Sequence, residues 1–165
     1  MRYQSGEYVV YRNWNICKVE EVTNKCFDGE STVQYLELRP TDSNGIIYVP
    51  LDKLEKCIRP ILTQTELLDI IDSLPNAKCN WIMERNKRII SYNTIIKSGD
   101  YSLIIPIIKA LYNERQKRIS SGKHLSESDE AIFNHAKHLF YSEISYSSGI
   151  SPEMVEHFIE DRLNK

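Results

Sequence analysis

The spacing of apolar positions changes near residue 60, and this change divides the predicted structure into two parts. Before it, short β-prone runs are separated by turn signals such as residues 41–45 (TDSNG). Within residues 33–38 (VQYLEL), Leu36 and Leu38 share one face of a predicted strand. Four or five such strands in this part of the chain predict a small, strongly bent antiparallel sheet or barrel.

After that point the apolar residues recur at helical spacing. Thr63, Asp100 and Ser126 each precede such a run and are predicted N-caps of three helices. Pro106 lies inside the pattern that follows Asp100, so we expect that helix to bend or to start late. A last helix is predicted from residues 151–153 (SPE), where proline takes the first helical position.

Together the two patterns predict an α+β fold with two domains. Residues 1–60 form an antiparallel β module, and residues 61–165 form an all-helical domain of about five helices. The 41% hydrophobic and 27% charged residues are typical of a globular protein. No apolar run approaches the roughly 18 residues that a membrane span needs, and the N-terminus lacks a signal peptide's apolar region. We therefore expect a cytoplasmic protein without membrane contact.

A tryptophan with basic residues just behind it is the most informative feature of the chain. If a helix begins at Asn80 and stops at Ser98-Gly99, a step of 100° per residue places Arg85, Arg88 and Tyr92 within about 40° of Trp81. Phosphates would take the cations and bases would meet the ring, so this face suits a nucleic-acid groove. The alternative is that Trp81 closes the hydrophobic core at the joint between the domains. A separate stripe is predicted for the core: Ile82, Ile89 and Ile96.

The net charge of −2 conceals a strong division along the chain. Residues 78–123 hold ten Lys or Arg and three Asp or Glu, a net charge of +7, whereas the segments before and after them carry −4 and −5. A basic block between acidic ones is a candidate polyanion-binding region. The same block would also dock an acidic protein, which leaves a protein-interaction adaptor as the alternative function.

Motifs for catalysis or metal binding are absent from the sequence. There is no Gly-rich phosphate loop, GxSxG or dinucleotide fingerprint. The four cysteines form no CxxC pair, so we expect reduced thiols, and nothing supports Cys17 or Cys26 as a nucleophile. His135 and His138 lie three apart, but no motif such as HExxH includes them. We therefore expect no enzymatic activity, no metal and no cofactor.

Both halves of the chain resemble a known family, in the same order. Residues 6–11 (GEYVVY), 35–38 (YLEL) and 48–50 (YVP) resemble the start of CarD/CdnL-type bacterial transcription regulators. The second half looks like that family's helical domain, and the matching pieces are Asn80-Trp81, residues 97–100 (KSGD), residues 110–112 (ALY) and residues 126–153. The resemblance covers nearly the whole chain.

This resemblance implies a Tudor-like β module that binds the β subunit of RNA polymerase through an edge strand. It also implies a helical domain in which the family's tryptophan wedges into the minor groove of promoter DNA, at the upstream edge of the melted bubble. On this basis we assign polymerase binding to Lys25, Ile46, Ile47, Tyr48, Val49 and Pro50. We assign DNA contacts that do not read sequence to Trp81, Arg85, Lys87, Arg88, Lys97, Lys117 and Arg118. We expect a monomer that associates with the nucleoid and stabilises open complexes.

The sequence departs from the family at several positions. Residues 12–15 (RNWN) replace the usual proline and His-Gly turn, and Trp14 is either a replacement contact or a turn residue packed on its own sheet. Tyr48 stands where a basic polymerase contact is common, and Met83 and Glu84 stand where basic residues often follow the tryptophan. These changes predict weaker or retargeted binding on one side, as in a divergent paralogue.

Overall fold

A computed structural model describes residues 3–12, 15–78 and 81–163 of the chain. The chain divides into two compact units, Met1–Ile61 and Leu62–Lys165.

The first unit is a five-stranded antiparallel sheet, which confirms the predicted β module. Its strands are β1 (Tyr8–Tyr11), β2 (Asn15–Lys25), β3 (Val33–Pro40), β4 (Ile47–Pro50) and β5 (Ile58–Pro60). They lie in the order β4-β3-β2-β1-β5, so β4 and β5 are the two edges. A bulge between Val19 and Val22 shifts the register of β2 against β3 and bends the sheet. The short helix α1 (Leu54–Cys57) leads from β4 to β5.

The alternation predicted for β3 is confirmed by its burial. Leu36 and Leu38 lie on the core side of the sheet, where they pack with Val9, Cys17 and Val49. Tyr35 and Glu37, which alternate with them, are only partly buried, so the opposite side of β3 is open to solvent. Trp14, whose role the sequence left open, lies outside the described residues.

The second unit is helical, as predicted. Its α-helices are α2 (Gln64–Ser73), α3 (Arg85–Ser98), α4 (Tyr101–Ile119), α5 (Glu127–Ser148) and α6 (Val155–Leu163), with 3-10 turns at Leu74–Asn76 and Pro152–Met154. Their apolar faces meet in one core, which includes Ile71, Ile104, Leu111, Phe133 and Ile144. In the part of the chain that the structure describes, no helix is both long and apolar enough to cross a bilayer.

The caps predicted from local motifs are confirmed. The Thr63 hydroxyl accepts a hydrogen bond from the Glu66 N–H while the Glu66 carboxylate accepts one from the Thr63 N–H, a complete capping box. Asp100 and Ser126 cap α4 and α5 with their side chains. Gly99 ends α3 in the left-handed conformation, with φ of 70°.

The predicted start of α3 is wrong. Asn80 lies outside the described residues, and the helix begins at Arg85, so the tryptophan precedes it. The carbonyls of Ile82 and Met83, which a continuous helix would bond to N–H groups four residues on, accept hydrogen bonds from the Arg88 side chain instead. This side-chain contact competes with a further helical turn.

The face of α3 that meets the core also differs from the predicted stripe. Arg88, Tyr92 and Ile96 are its buried residues. Ile82 and Ile89 pack only partly against the core. All three isoleucines of the predicted stripe therefore contact the core, but only Ile96 is fully buried, and Ile82 lies before the helix.

Of the two alternatives expected at Pro106, the late start is wrong, since α4 begins at Tyr101 directly after its cap and continues through Pro106, and the bend stays a prediction. Proline lacks an N–H, so it leaves the carbonyl of Ser102 without its usual helical donor. The helix nevertheless continues, and Ile104 and Ile105, in the turn between these two residues, are buried.

Candidate nucleic-acid interface

Trp81 lies in the segment before α3 and is partly buried. Its ring packs against the core of the helical unit and also lines a surface depression of about 360 Å³. Met83, Arg85 and Lys117 line the same depression. The indole therefore contacts the core of its own unit and is still accessible from outside.

Arg88 packs against one face of the Trp81 indole. Its guanidinium carbon lies 4.2 Å from the centroid of the Trp81 ring, a distance typical of a cation–π contact. Nε and Nη2 donate to the two carboxylate oxygens of Asp129 at 2.8 Å each. Nη1 donates to the carbonyls of Ile82 at 2.6 Å and Met83 at 3.2 Å. All three nitrogens of this side chain are therefore engaged inside the unit.

Asp129 completes this arrangement from the first turn of α5. Burial opposes ionisation of its carboxyl, but hydrogen bonds from Arg88 and Ser126 and the charges of Arg88 and Arg118 outweigh that effect and lower the pKa of Asp129. The hydrogen bonds to Asp129 raise the pKa of Arg88 despite its burial. Both groups are therefore charged at neutral pH.

The predicted phosphate contacts divide into two groups. Arg85 and Lys117 are exposed beside the indole, and Arg118 is a further cation in the depression. Arg85 also donates to the Ser128 hydroxyl at 3.0 Å, and Arg118 pairs with Glu114 at 2.7 Å. These contacts orient both guanidinium groups at the rim.

Lys87 and Lys97 lie elsewhere. Both are exposed on the side of α3 opposite its buried face, and neither lines the depression. Arg88 is only 4% exposed and its guanidinium is engaged within the unit, so we no longer expect it to reach a DNA phosphate.

Met83 is the residue of this site that the sequence did not assign. Its side chain is 84% exposed beside Trp81. Apolar side chains of this kind are common at minor-groove steps that proteins kink. The departure from the family's basic residue was visible in the sequence, but its position on the rim depends on the extended backbone before α3.

A second exposed surface lies on the edge strand β4. The rings of Phe27, Tyr35 and Tyr48 form an aromatic cluster, with centroids 5.2 to 6.4 Å apart. The ammonium of Lys25 lies 5.3 Å from the centroid of the Tyr48 ring. Phe27 is 64% exposed and was not among the predicted contacts, because it lies in a turn that only the folded sheet brings beside β4.

The remaining predicted polymerase contacts on this edge differ in accessibility. Ile46 is 43% exposed and Ile47 is partly buried. The Val49 side chain is buried in the core, so only its main chain faces a partner. Pro50 has no N–H to donate. The available features are therefore the aromatic cluster, Lys25, Ile46 and the outer backbone of the strand.

Neither Cys17 nor Cys26 has the features of a nucleophilic site. Cys17 is fully buried, and this burial together with the charge of Asp42 raises the pKa of its thiol to about 11. The Cys26 thiol donates to the Asp28 carboxylate at the surface. Among residues 3–12, 15–78 and 81–163, no group of three or more His, Cys, Asp or Glu side chains is arranged to hold a metal ion.

Comparison with known families supplies the identity that the geometry alone does not. Residues 3–62 match the CarD-like/TRCF RID domain, and residues 69–160 match the CarD C-terminal domain. The chain belongs to the CarD family. No curated protein matches it closely enough to add a relative. Its CarD-family domains make the protein a non-enzymatic transcription regulator that interacts with RNA polymerase, through an RID domain that binds the β subunit.

Proposed function

We propose that this CarD-family protein stabilises promoter open complexes by holding the indole of Trp81 at the upstream edge of the melted DNA. The observation that carries the proposal is the depression where Trp81, Met83, Arg85 and Lys117 meet. An aromatic ring beside exposed cations fits a distorted minor-groove step, since the cations take phosphates and the ring meets a base. None of these contacts reads sequence.

Binding to polymerase supplies the local concentration that weak DNA contacts need. The contacts that we propose for the β subunit are Lys25, Ile46, Ile47, Tyr48, Val49 and Pro50, the last two through their main chain, together with Phe27 of the aromatic cluster. An exposed edge strand accepts a partner strand through its backbone, and neighbouring side chains then give specificity. The protein works as a monomer at the nucleoid, in the cytoplasm.

The proposed effect on transcription requires that the protein bind open DNA more tightly than closed DNA. Unstacking a base step costs a few kcal/mol, and in the open complex melting has already met that cost. Aromatic stacking on a base contributes about 1–3 kcal/mol. The indole therefore gains this contact only after the duplex has opened, which shifts the equilibrium toward the open complex.

Replacing Tyr48 by alanine tests the polymerase contact. We expect the variant to bind the β subunit at least tenfold more weakly, because the substitution removes the ring that joins Phe27 and Lys25 into one surface. Isothermal titration with the isolated β-subunit lobe measures the change. Salt should affect this binding only slightly, since an aromatic ring stands where relatives carry a charge.

The matched control is Tyr8→Ala. Tyr8 is an exposed tyrosine on β1 of the same sheet, three strands away from β4. Equal losses of affinity for Tyr48→Ala and Tyr8→Ala would mean that the contact does not lie on the β4 edge.

Replacing Lys117 by alanine tests the phosphate contacts. With polymerase present on forked promoter DNA, we expect weaker binding and a slope of log affinity against log salt that falls by about one, because one phosphate contact is lost. Arg85 and Arg118 should behave alike, and Lys87 and Lys97 contribute at longer range. Lys53→Ala, the same charge change at an exposed site in the first unit, is the control. DNA affinity that ignores salt would remove the phosphate contacts from the proposal.

A further inference from the structure

We propose that Arg88 and Asp129 are positioning residues that hold Trp81 in its DNA-binding conformation, a role that rests on the function proposed above. They do not touch DNA themselves. Their effect on the open complex passes entirely through the tryptophan.

Arg88 and Asp129 carry opposite charges, and both side chains are buried. Arg88 is 4% exposed and Asp129 is 1% exposed. Of the described residues, only these two and Glu143 are polar or charged and buried. A buried ion pair is not needed for stability, because apolar residues of similar size often serve as well. The pair therefore calls for a role other than holding the unit together.

Arg88 contacts both the backbone and the tryptophan ring of the segment before α3. One guanidinium bonds the carbonyls of Ile82 and Met83 and lies against the indole ring of the residue before them. The backbone and the side chain of this short segment are thus fixed by the same group. A lysine has neither the planar shape nor the fork of donors to make all of these contacts.

Asp129, the other member of the pair, is itself held in place. The Ser126 hydroxyl donates to Asp129 at 2.7 Å and accepts a hydrogen bond from the Asp129 backbone N–H. Phe133, Ala136 and Phe140 of the same helix lie in the core. Through this pair, the indole is therefore tied to a helix whose apolar face lies in the core.

Fixing a side chain before binding reduces the entropy that binding removes. For a rotamer-rich side chain this is worth about a two- to tenfold change in affinity. We therefore expect the indole to lose much of its effect when its support is removed, even though the ring itself is still present.

The test replaces the charges without leaving either one unpaired. The double variant Arg88→Met/Asp129→Leu should fold, bind polymerase normally and shorten the open-complex lifetime about fivefold. The control is Arg162→Met/Asp72→Leu. That pair has the same two-bond geometry, at 2.8 and 2.7 Å, but links α6 to α2 at the surface. The control should keep the wild-type lifetime.

A double-mutant cycle shows whether the pair acts through the tryptophan. In a Trp81→Ala background the Arg88→Met/Asp129→Leu change should have no further effect on lifetime. An additional loss in that background would overturn the proposal, and so would an unchanged lifetime in the Trp81-containing variant. If the double variant fails to fold, Arg88→Lys keeps the charge pair and should still show a partial loss of lifetime.

Fluorescence separates this proposal from the function on which it rests. The chain has two tryptophans, so Trp14→Phe makes Trp81 the sole emitter. Acrylamide should quench Trp81 more strongly in the Arg88→Met/Asp129→Leu variant than in the Arg162→Met/Asp72→Leu control. Unchanged quenching would overturn the positioning role. A Trp81→Ala variant with the wild-type lifetime would overturn only the proposed function.

Discussion

Replacing Trp81 by alanine should remove most of the stabilisation that this protein gives to promoter open complexes while leaving polymerase binding intact. The lost contact is worth about 1–3 kcal/mol, or roughly a 5- to 150-fold change in an equilibrium constant. The lifetime of open complexes after challenge with a competitor measures the change. The polymerase contact should survive because its proposed residues lie in the first unit.

Tyr112→Ala is the control for this experiment. Tyr112 is a 52% exposed aromatic residue of the same unit that lines a different depression. Because Trp81 also packs against the core, both variants should be assayed well below their melting temperatures. An open-complex lifetime that Trp81→Ala leaves unchanged would remove the indole from the mechanism.

Replacing Asp129 alone by alanine should destabilise the helical unit by about 3–5 kcal/mol, because it leaves the charge of Arg88 buried without its partner. Urea denaturation followed by circular dichroism measures the loss. The lowered pKa of Asp129 means that this stabilisation is present at neutral pH and is lost as the pH falls through the folded-state pKa.

Asp72→Ala provides the comparison for that prediction. It breaks the pair with Arg162, which has the same geometry but is 51% exposed on the aspartate side. Water screens an exposed pair, so its loss should change stability little. Similar losses of unfolding free energy for Asp129→Ala and Asp72→Ala would show that burial does not make the Arg88 pair more important for stability.

Features encoded within a few neighbouring residues could be predicted from the sequence. The capping box of Thr63 and Glu66 depends on residues three apart, and the alternation of Leu36 and Leu38 depends on residues two apart. Both features depend only on residues close in sequence, so the sequence pattern alone was sufficient to predict them. The same holds for Gly99, where only the helix end needs a left-handed residue.

The start of α3 could not be predicted in this way. At this start, Arg88 bonds the carbonyls of Ile82 and Met83 and also Asp129, which lies 41 residues away in sequence. Helical periodicity placed Arg88 on an exposed face with the tryptophan, whereas the folded unit buries it beneath the ring. The sequence therefore selected Trp81, Arg85 and Lys117, which the structure brings together in one depression, but it gave no sign of the contact between Arg88 and Asp129.

The charge sum along the sequence also overstated the free positive charge of residues 78–123. Arg88, Arg115 and Arg118 each pair with an acidic side chain. Two of those partners lie in α5, beyond the basic block. Such pairs form only when the helices pack together, so counting charges along the chain does not reveal which cations remain for a polyanion.

The guanidinium of Arg88 lies against one side of the indole, and this limits how the ring can meet nucleic acid. A flat ring has two sides, so at most one is left for a nucleobase. Such a ring can terminate a column of base pairs, but two successive pairs cannot enclose it. Under the proposed function, the ring therefore fits a junction where paired DNA stops, and an uninterrupted double helix offers it no equivalent place.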